Sequence, residues 1–315
     1  MEKVTVVFAS SDYYAMLLGV ALCSLFENKK GEYPISVYVI DSGISAANKE
    51  RLGILEKRYG FAINYVTPDK QLFDEIPIAD LSKQYYLPIE VYYRIAFARL
   101  LPATCRKLIY LDVDIAVRGD IAELYNVDLA GQTIGAVADC HPDEKHEHLK
   151  RMCRDFQVPE IPNEFVYFNS GMLLINLDLW RKHGIEEKLF KVIRENPDKL
   201  SYHDQDALNI VLLGDCKELP AKYNLLTEQA SELNESNPLI VHFVGGGKPW
   251  YILSALPYQR EYIYYVKKTP WKNKKYRKFM DIYFAKKYHL YPIAWKVWSA
   301  YKKFKSLFRG IAQSN

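Results

Sequence analysis

Short runs of apolar residues alternate with longer amphipathic stretches along the first two thirds of the chain. Runs of strand length cover residues 4–9, 35–40, 61–66, 107–111, 133–138 and 172–177. Residues 13–28 and 45–59 lie between the first three runs, and the second stretch carries Leu52, Leu55 and Tyr59 at helical spacing. This pattern predicts repeated strand–helix–strand units, and therefore an α/β, Rossmann-like fold with a mostly parallel central sheet and helices on both faces. Ligands of such sheets bind at the carboxyl ends of the strands.

The composition is that of a folded protein. The 315 residues are 49% hydrophobic and 25% charged, which favours a sizeable core and excludes disordered and fibrous classes. No apolar run approaches the roughly 20 residues that a membrane-spanning helix needs. The first residues have the pattern of a strand rather than of a secretion signal, and the five cysteines lack any C-x-x-C pair. We therefore expect a cytoplasmic protein without a disulfide framework or a structural zinc site.

The charge is divided unevenly along the chain. Residues 260–315 carry fifteen Lys or Arg and two acidic residues, whereas the rest of the chain carries 27 basic and 36 acidic residues. The same segment is rich in Trp, Tyr and Phe, and from Pro292 its apolar residues fall at the spacing of an amphipathic helix. Lysines and aromatic residues together are typical of a membrane interface.

These features predict two regions, a catalytic domain over residues 1–255 and a basic, aromatic-rich helical C-terminal region over residues 256–315. We expect the second region to bind an anionic membrane surface, which would place the protein at the inner face of the plasma membrane. The alternative is a helical subdomain that packs on the body with a solvated basic face. Nucleic acid is an unlikely partner, because no helix-turn-helix, RRM or zinc-finger pattern is present.

Several common active-site motifs are missing. The first strand is followed by SSDYYA and not by G-x-G-x-x-G, which disfavours a dinucleotide-binding turn. The run from Gly245 to Lys248 precedes Pro249 rather than a helix, so it is no Walker loop. There is also no G-x-S-x-G elbow and no cysteine-protease signature. Dehydrogenases and the common nucleophilic hydrolases are thereby disfavoured.

Two carboxylates follow the fourth apolar run, in Asp112-Val113-Asp114. In extended backbone the side chains of residues i and i+2 point the same way, so both carboxylates can converge on one divalent cation. Oxygen ligands suit Mn²⁺ or Mg²⁺, which complete their coordination with substrate phosphates. The motif also resembles the haloacid dehalogenase-like phosphatases, although Ala116 stands where their pattern needs Thr and three predicted strands precede it.

Three further segments narrow these alternatives. They are YFNSGMLLINLDLWR (167–181), HDQDALNIVL (203–212) and VHFVGGGKPW (241–250). Together with Asp112 and Asp114 they resemble, in order and approximate spacing, the family 8 glycosyltransferases, which include bacterial lipopolysaccharide galactosyl- and glucosyltransferases and glycogenin. The resemblance covers residues 4 to about 255. It implies a GT-A fold, a UDP-galactose or UDP-glucose donor, Mn²⁺ (with Mg²⁺ as the alternative), retention at the anomeric carbon, and a lipid-linked, glycoprotein or cell-surface saccharide as acceptor.

The resemblance also implies roles for residues at the metal and the diphosphate. His242 would be the third metal ligand beside Asp112 and Asp114, although an isolated strand-end histidine is more often hydrogen-bonded in a core. Val113, which stands between the two aspartates, would also contact the donor. The glycines from Gly245 would let backbone approach the diphosphate, and Lys248 would place a charge on it.

At the nucleoside, the resemblance places uridine against the end of the first strand and the residues after it. The residues concerned are Ala9, Ser10, Ser11 and Tyr14, with the tyrosine ring stacked on uracil. Ser11 departs from the Asp that many bacterial members have there, which weakens the uracil preference. Arg94 would approach the donor sugar and the diphosphate; the alternative is a surface arginine on an aromatic helix.

The catalytic centre implied by the resemblance surrounds the donor hexose. Asn169 and Asp204 would contact sugar hydroxyls, and Gln205 would lie nearest the anomeric carbon. An amide is a poor nucleophile, so we expect a front-face reaction in which the departing phosphate takes the acceptor proton. Asp206 is the carboxylate that could instead attack, or it could orient the following helix.

Two other expectations concern neighbouring segments and the protein class. The run HPDEKHEH (141–148) is predicted to be a solvated loop beside the site, and Trp180 is predicted to pack in the core. A non-catalytic UDP-sugar-binding protein remains the alternative from another class.

Overall fold

The computed structural model describes residues 3–73, 89–139, 142–158, 166–196, 198–230, 233, 235–251 and 256–272. The strands in these ranges are β1 (Val4–Ser10), β2 (Ile35–Asp41), β3 (Ile63–Val66), β4 (Lys107–Leu111), β5 (Ile115–Val117), β6 (Ile134–Ala136), β7 (Met172–Asn176), β8 (Cys216–Glu218), β9 (Leu225–Leu226) and β10 (Ile240–His242). The α-helices are α1 (Ala15–Glu27), α2 (Ala46–Tyr59), α3 (Phe97–Leu100), α4 (Ile121–Tyr125), α5 (Pro142–Asp155), α6 (Leu177–Lys182), α7 (Ile185–Glu195), α8 (Asp204–Val211) and α9 (Gln259–Lys268).

Within the described ranges, seven strands form one sheet in the order β3-β2-β1-β4-β7-β6-β8. β7 runs antiparallel to β4 and β6, and the other neighbouring pairs are parallel. The predicted mostly parallel sheet is confirmed, and every predicted strand overlaps an observed one. A smaller sheet has the order β5-β10-β9. Its strands have two or three residues each, which is too short for the hydrophobic pattern to predict.

Alternate side chains of the large sheet enter two separate cores. In β1, Val6 and Phe8 pack in one core with α1, whereas Val7 packs in the other. The second core contains α6 and α7, with Trp180 fully buried as predicted. Period-two alternation in a sheet with both faces covered requires this arrangement, and helices on both faces are confirmed.

The start of the predicted C-terminal region packs on the body. Tyr262, Tyr265 and Trp271 are buried in the same core as α1. Trp271 lies directly against Gly19 of α1, where a Cβ would collide with the indole ring. Arg118 is 2.8 Å from Glu261, which ties α9 to the residue after β5. Residues 256–272 therefore share a core with α1.

The rest of that region, including the helix predicted from Pro292, lies outside the described residues. That this region is separate from the body, and that it binds a membrane, stay predictions. Within the part of the chain that the structure describes, no helix combines the length and the hydrophobicity needed to cross a bilayer.

The prediction of a loop over residues 141–148 is wrong. Residues 142–148 belong to helix α5, whose Leu149 and Met152 are buried in the second core. The local sequence is almost entirely polar up to Leu149, so its helical periodicity becomes visible only when the apolar residues after it are included. Its place beside the site is as expected, since His148 reaches Asp206.

A buried carboxylate supports the segment that carries Arg94, a 3₁₀ helix over Ile89–Ile95 followed by α3. Glu186 of α7 is fully buried and accepts a hydrogen bond from the backbone N–H of Ala98 at 2.9 Å. Its other oxygen is 2.8 Å from Arg99. Burial raises the pKa of Glu186 to about 7, against the opposing effect of Arg99.

Candidate active site

The carboxylates of Asp112 and Asp114 meet because of a bend and not because of an extended strand. β4 ends at Leu111 and β5 begins at Ile115, so the Asp-Val-Asp segment is the connection between the two sheets. The backbone N–H of Asp112 donates to the carbonyl of Gly171 at 2.8 Å, and the carbonyl of Asp114 accepts from Phe243 N–H at 3.0 Å. The predicted i, i+2 geometry is therefore wrong, although the side chains do converge.

His242 joins this pair from the small sheet. β10 runs antiparallel to β5 with His242 opposite Ile115, which brings the imidazole next to Asp114. One potential ligand atom from each of Asp112, Asp114 and His242 lies within 4.8 Å of the others. The arrangement follows directly from the strand register.

The three side chains fit a divalent cation. His242 is buried, and among the described residues its Nδ1 has no hydrogen-bond partner, while its Nε2 is 3.3 Å from Asp114. A Cβ built on Gly171 would lie 2.8 Å from Asp112 Oδ2 and 2.9 Å from His242 Nδ1. The fold thus keeps side chains out of the space beside two carboxylates and an imidazole, which is a donor set suited to Mn²⁺ or Mg²⁺.

Lys248 lies against the acidic pair. Its Nζ is 2.7 Å from Asp114 Oδ2. Burial alone would raise the pKa of Asp114, yet Lys248 and His242 hold it well below its ordinary range. Gly245, with φ of +71°, makes the turn that returns the chain to this position. The lysine predicted to contact a phosphate is thus beside the proposed metal ligands.

Arg94 is buried at the centre of the site, so the alternative of a surface arginine is wrong. Its Nη2 is 2.9 Å from Asp112 and its Nε is 3.2 Å from Asp204. Nη1 donates to the backbone carbonyl of Ser170 at 2.9 Å. Burial opposes the charged form, but Asp112 and Asp204 keep the pKa of Arg94 above its usual value. The guanidinium therefore stays charged and links the metal-side carboxylate to α8.

The first residues of α8 carry the other predicted catalytic groups. Asp204 is buried, and burial raises its pKa to about 6 although Arg94 opposes this. Gln205 accepts a hydrogen bond at Oε1 from Ser170 N–H at 3.0 Å and one from Asn169 at 3.3 Å. Asn169 in turn accepts from Gly171 N–H at 3.0 Å. The segment Asn169-Ser170-Gly171 (the NSG segment) therefore connects Gln205 to the part of the site where Asp112 and His242 lie.

Asp206 is enclosed by its own hydrogen-bond partners. It is fully buried and accepts hydrogen bonds from Tyr167 Oη at 2.6 Å and from Tyr202 N–H at 2.8 Å. His148 Nε2 is a further 2.9 Å neighbour. These contacts match the second expectation for Asp206, which is orientation of the helix, and leave no exposed oxygen for attack on a substrate.

The predicted nucleoside-binding residues lie at the end of β1. Ser10 is buried at the strand terminus, and Tyr14 precedes the first residue of α1. The ring of Tyr14 is half-buried and meets the exposed ring of Tyr13 edge-to-face at 5.0 Å. Ser11 closes the turn, because its carbonyl accepts from Tyr14 N–H at 3.1 Å. Contact of these residues and of Ala9 with uridine stays a prediction.

Sequence reasoning missed several residues of the site. Ser170 and Gly171 stand within the NSG segment, so the motif itself was the signal for them. Tyr167, which contacts Gln205, is the first residue of the same motif. Asp139 also contacts Gln205 but lies outside every motif, so it is recognised only when β6 and α8 are placed side by side.

Comparison with known proteins agrees with this geometry. The glycosyl transferase family 8 model matches residues 5–253. The chain belongs to the family 8 glycosyltransferases. General stress protein A of Bacillus subtilis is 34% identical over 288 residues, which cover 86% of this chain and 95% of that protein. Lipopolysaccharide 1,2-glucosyltransferase of Escherichia coli is 28% identical over 294 residues, covering 88% and 82%.

The same family relationship extends to solved structures. The crystal structure of the galactosyltransferase LgtC in complex with donor and acceptor sugar analogs superposes with a TM-score of 0.73 at 25% identity, covering 86% of this chain and 99% of that one. The predicted GT-A fold of this glycosyltransferase is confirmed. The phosphatase alternative is wrong, because the family match spans nearly the whole of the described body.

Proposed function

We propose that this family 8 glycosyltransferase moves galactose or glucose from a UDP-sugar to a saccharide acceptor, with retention at the anomeric carbon and with Mn²⁺ or Mg²⁺ as cofactor. The observation that carries the proposal is the meeting of Asp112, Asp114 and His242 within 4.8 Å. Arg94 joins this cluster to Asp204, at the start of the helix that carries Gln205. A cation bound by the three ligands would neutralise the diphosphate as its bond to the sugar breaks.

Charge balance supports a metal-dependent donor site. The cluster has carboxylates at Asp112, Asp114 and Asp204, against the fixed positive charges of Arg94 and Lys248. A diphosphate adds negative charge to a site that is already acidic. Its binding is therefore unfavourable unless a divalent cation enters with it. Lys248, now paired with Asp114, is placed to contact a phosphate oxygen as the charge on the leaving group develops.

The neighbours of the anomeric position favour the front-face route. Gln205 presents an amide, and the carboxylate of Asp206 is buried among its donors, so neither offers an attacking oxygen. In the proposed reaction the bond from the anomeric carbon to the phosphate oxygen breaks as the acceptor hydroxyl bonds to that carbon on the same face. The acceptor proton passes to the departing phosphate. The role of Arg94 is to hold Asp112 and Asp204 in place during this exchange.

The proposed acceptor is lipid-linked, with glycoprotein and cell-surface glycans as the alternatives. The name of the Escherichia coli relative describes transfer to lipopolysaccharide. Tyr202 supports a saccharide at this edge, since the residue is 48% exposed and stands two positions before Asp204. Exposed aromatic faces are suitable surfaces for the apolar faces of sugars.

A donor screen tests the proposed function. The full chain is incubated with UDP-galactose or UDP-glucose, in Mn²⁺, in Mg²⁺ or in a chelator, and released UDP is detected by mass. We expect release from one of the two donors, and loss of at least about 90% of it in the chelator, as the ionic site predicts. Binding of UDP without release in any condition would instead identify a non-catalytic sugar-nucleotide-binding protein.

For its location we propose a cytoplasmic protein held at the inner face of the plasma membrane by its basic tail. The described part of the chain supports this through a cleft between α2 and residues 267–272, which immediately precede the tail in the sequence. Four of its seven lining residues are basic, and the lining consists of Ile54, Arg58, Lys267, Lys268, Thr269, Pro270 and Lys272. Clusters of this kind suit anionic lipid headgroups.

Truncation after Lys272 tests the membrane proposal. Deletion from residue 260 would remove Tyr262, Tyr265 and Trp271 from the core, so the cut must follow Lys272. The tail beyond it holds eleven basic residues, and its loss is expected to lower binding to phosphatidylglycerol-containing vesicles by about tenfold or more. Binding of UDP serves as the control and should be unchanged. Equal vesicle binding by both chains, or equal binding to neutral vesicles, would contradict the proposal.

A further inference from the structure

The orientation of the Gln205 side-chain amide is determined by its neighbours. Its Oε1 lies 3.0 Å from the backbone nitrogen of Ser170. A backbone N–H is a donor only, so the atom facing it must be the carbonyl oxygen and not the amino group. The Nδ2 of Asn169, at 3.3 Å, adds a second donor on the same side. The oxygen of Gln205 therefore faces the segment that leads to Arg94 and Asp112.

The other end of the amide meets acceptors. Gln205 Nε2 donates to Asp139 Oδ2 at 2.7 Å, and a carboxylate is an acceptor only. Nε2 also lies 3.1 Å from Tyr167 Oη, whose own proton is donated to Asp206 at 2.6 Å. If the amide of Gln205 were flipped, its oxygen would face the carboxylate of Asp139 and its amino group would face the backbone N–H of Ser170. The hydrogen bonds from Ser170 and Asn169 and the one to Asp139 would then be lost, and repulsive contacts would replace them.

Asp139 is held where it cannot follow such a flip. It stands just after β6, beside the bridge between Ala138 and Phe168. Its N–H donates to the carbonyl of Tyr167 at 2.9 Å, and its carbonyl accepts from Gln229 at 3.0 Å. The residue is 5% exposed. Its carboxylate is therefore a fixed acceptor behind Gln205, on the side away from Ser170.

We propose that Asp139 is a positioning residue, which holds the carbonyl oxygen of Gln205 toward the donor sugar. The inference rests on the proposed function, in which the anomeric carbon gains positive charge as the phosphate departs. An amide oxygen facing that carbon stabilises the charge, whereas an amino group there opposes it. Asp139 acts through Gln205, whose amino group it accepts from at 2.7 Å.

Substitution of Asp139 gives the first test. Asp139→Leu removes the acceptor, and kcat is expected to fall by about 10- to 100-fold, the range of a mispositioned electrostatic group. The KM for the donor should stay within about twofold, since the metal ligands are untouched. Asp139→Asn retains an oxygen that can accept, so it should recover part of the lost kcat. The matched control is Asp128→Asn, an exposed carboxylate that accepts from the backbone of a surface turn.

Exchanging the amide of Gln205 and the carboxylate of Asp139 gives a sharper test. Gln205→Glu sets two carboxylates against each other, so the pair should retain a proton to higher pH. Adding Asp139→Asn restores a donor–acceptor pair with its direction reversed. The titration midpoint of the introduced carboxylate should then fall by about one pH unit or more. The midpoint is measured in the full chain by ¹³C NMR of labelled glutamate, which needs no turnover.

The outcomes separate this inference from the proposed function. Absence of UDP release by the unmodified chain would refute the proposed function, while the NMR titration would still report on the contact between positions 139 and 205. An equal midpoint in the single and double variants would overturn the inference. So would a rise in donor KM with unchanged kcat in Asp139→Leu.

Discussion

Replacing His242 by alanine, or Asp114 by asparagine, is expected to lower metal-dependent transfer on the order of 1000-fold, the factor that about 4 kcal/mol of lost charge stabilisation gives. Each change removes the imidazole or the charged carboxylate of one of three side chains that meet between two sheets. The residue beside the imidazole is Gly171, which has no side chain to take its place. Asp114→Asn should also free Lys248 from its 2.7 Å contact.

The measurement is UDP release against Mn²⁺ concentration, together with calorimetric binding of Mn²⁺ and UDP. The matched control is His183→Ala, which breaks a histidine–aspartate pair of similar length, 3.4 Å from Asp215, at a more exposed position away from the cluster. The control should retain activity within about twofold, as surface substitutions usually do. Full activity of the Asp114 or His242 variants would refute the ligand assignment.

Gly171→Ala is expected to abolish turnover although it adds a single methyl group. A Cβ at this position would collide with His242 Cε1 and would lie 2.8 Å from Asp112 Oδ2. Neither neighbour can withdraw easily, since His242 is buried in β10 and Asp112 is held by Arg94. We expect at least a 100-fold loss, about 3 kcal/mol, as displacement of two ligands by a fraction of an ångström implies. Calorimetry should show weaker Mn²⁺ binding by the same variant.

The control for this change is Gly53→Ala on α2. There a Cβ would make an ordinary contact of 3.5 Å with Glu56, and the helix favours alanine over glycine by about 1 kcal/mol. Gly53→Ala should therefore leave transfer unchanged and raise the melting temperature slightly. If Gly171→Ala retains both Mn²⁺ binding and turnover, the space beside Gly171 is not part of the metal site.

The large sheet and the identity of the metal-side residues could be predicted from local sequence. β1, β2 and β4 are mostly apolar runs because both faces of the sheet are covered. The ends of each run therefore indicate where the strand begins and ends. Asp112, Asp114 and His242 stand next to such runs within recognisable motifs. Their convergence depends on the pairing of β5 with β10, which are three residues each and too short to show a periodicity.

The environment of the site could not be predicted because it depends on contacts distant in sequence. Arg94 lies in an aromatic-rich segment that is equally consistent with a surface helix, and only Asp112, Asp204 and Ser170 together give it a buried site. The partners of Asp206 come from α5 and from the residues before α8. No pattern along the chain relates Asp139 to Gln205, which are joined by one side-chain contact across β6 and α8.

The connection between β4 and β5 has a consequence for the thermodynamics of the whole domain. Asp112 and Asp114 flank the junction of the two sheets, and His242 belongs to the smaller one. A cation held by all three would act as a cross-link between layers that the chain joins there by a three-residue bend. The free energy of unfolding would then depend on the concentrations of the cation and the donor. Each tenfold increase of the ligand concentration above its Kd would raise it by about 1.4 kcal/mol.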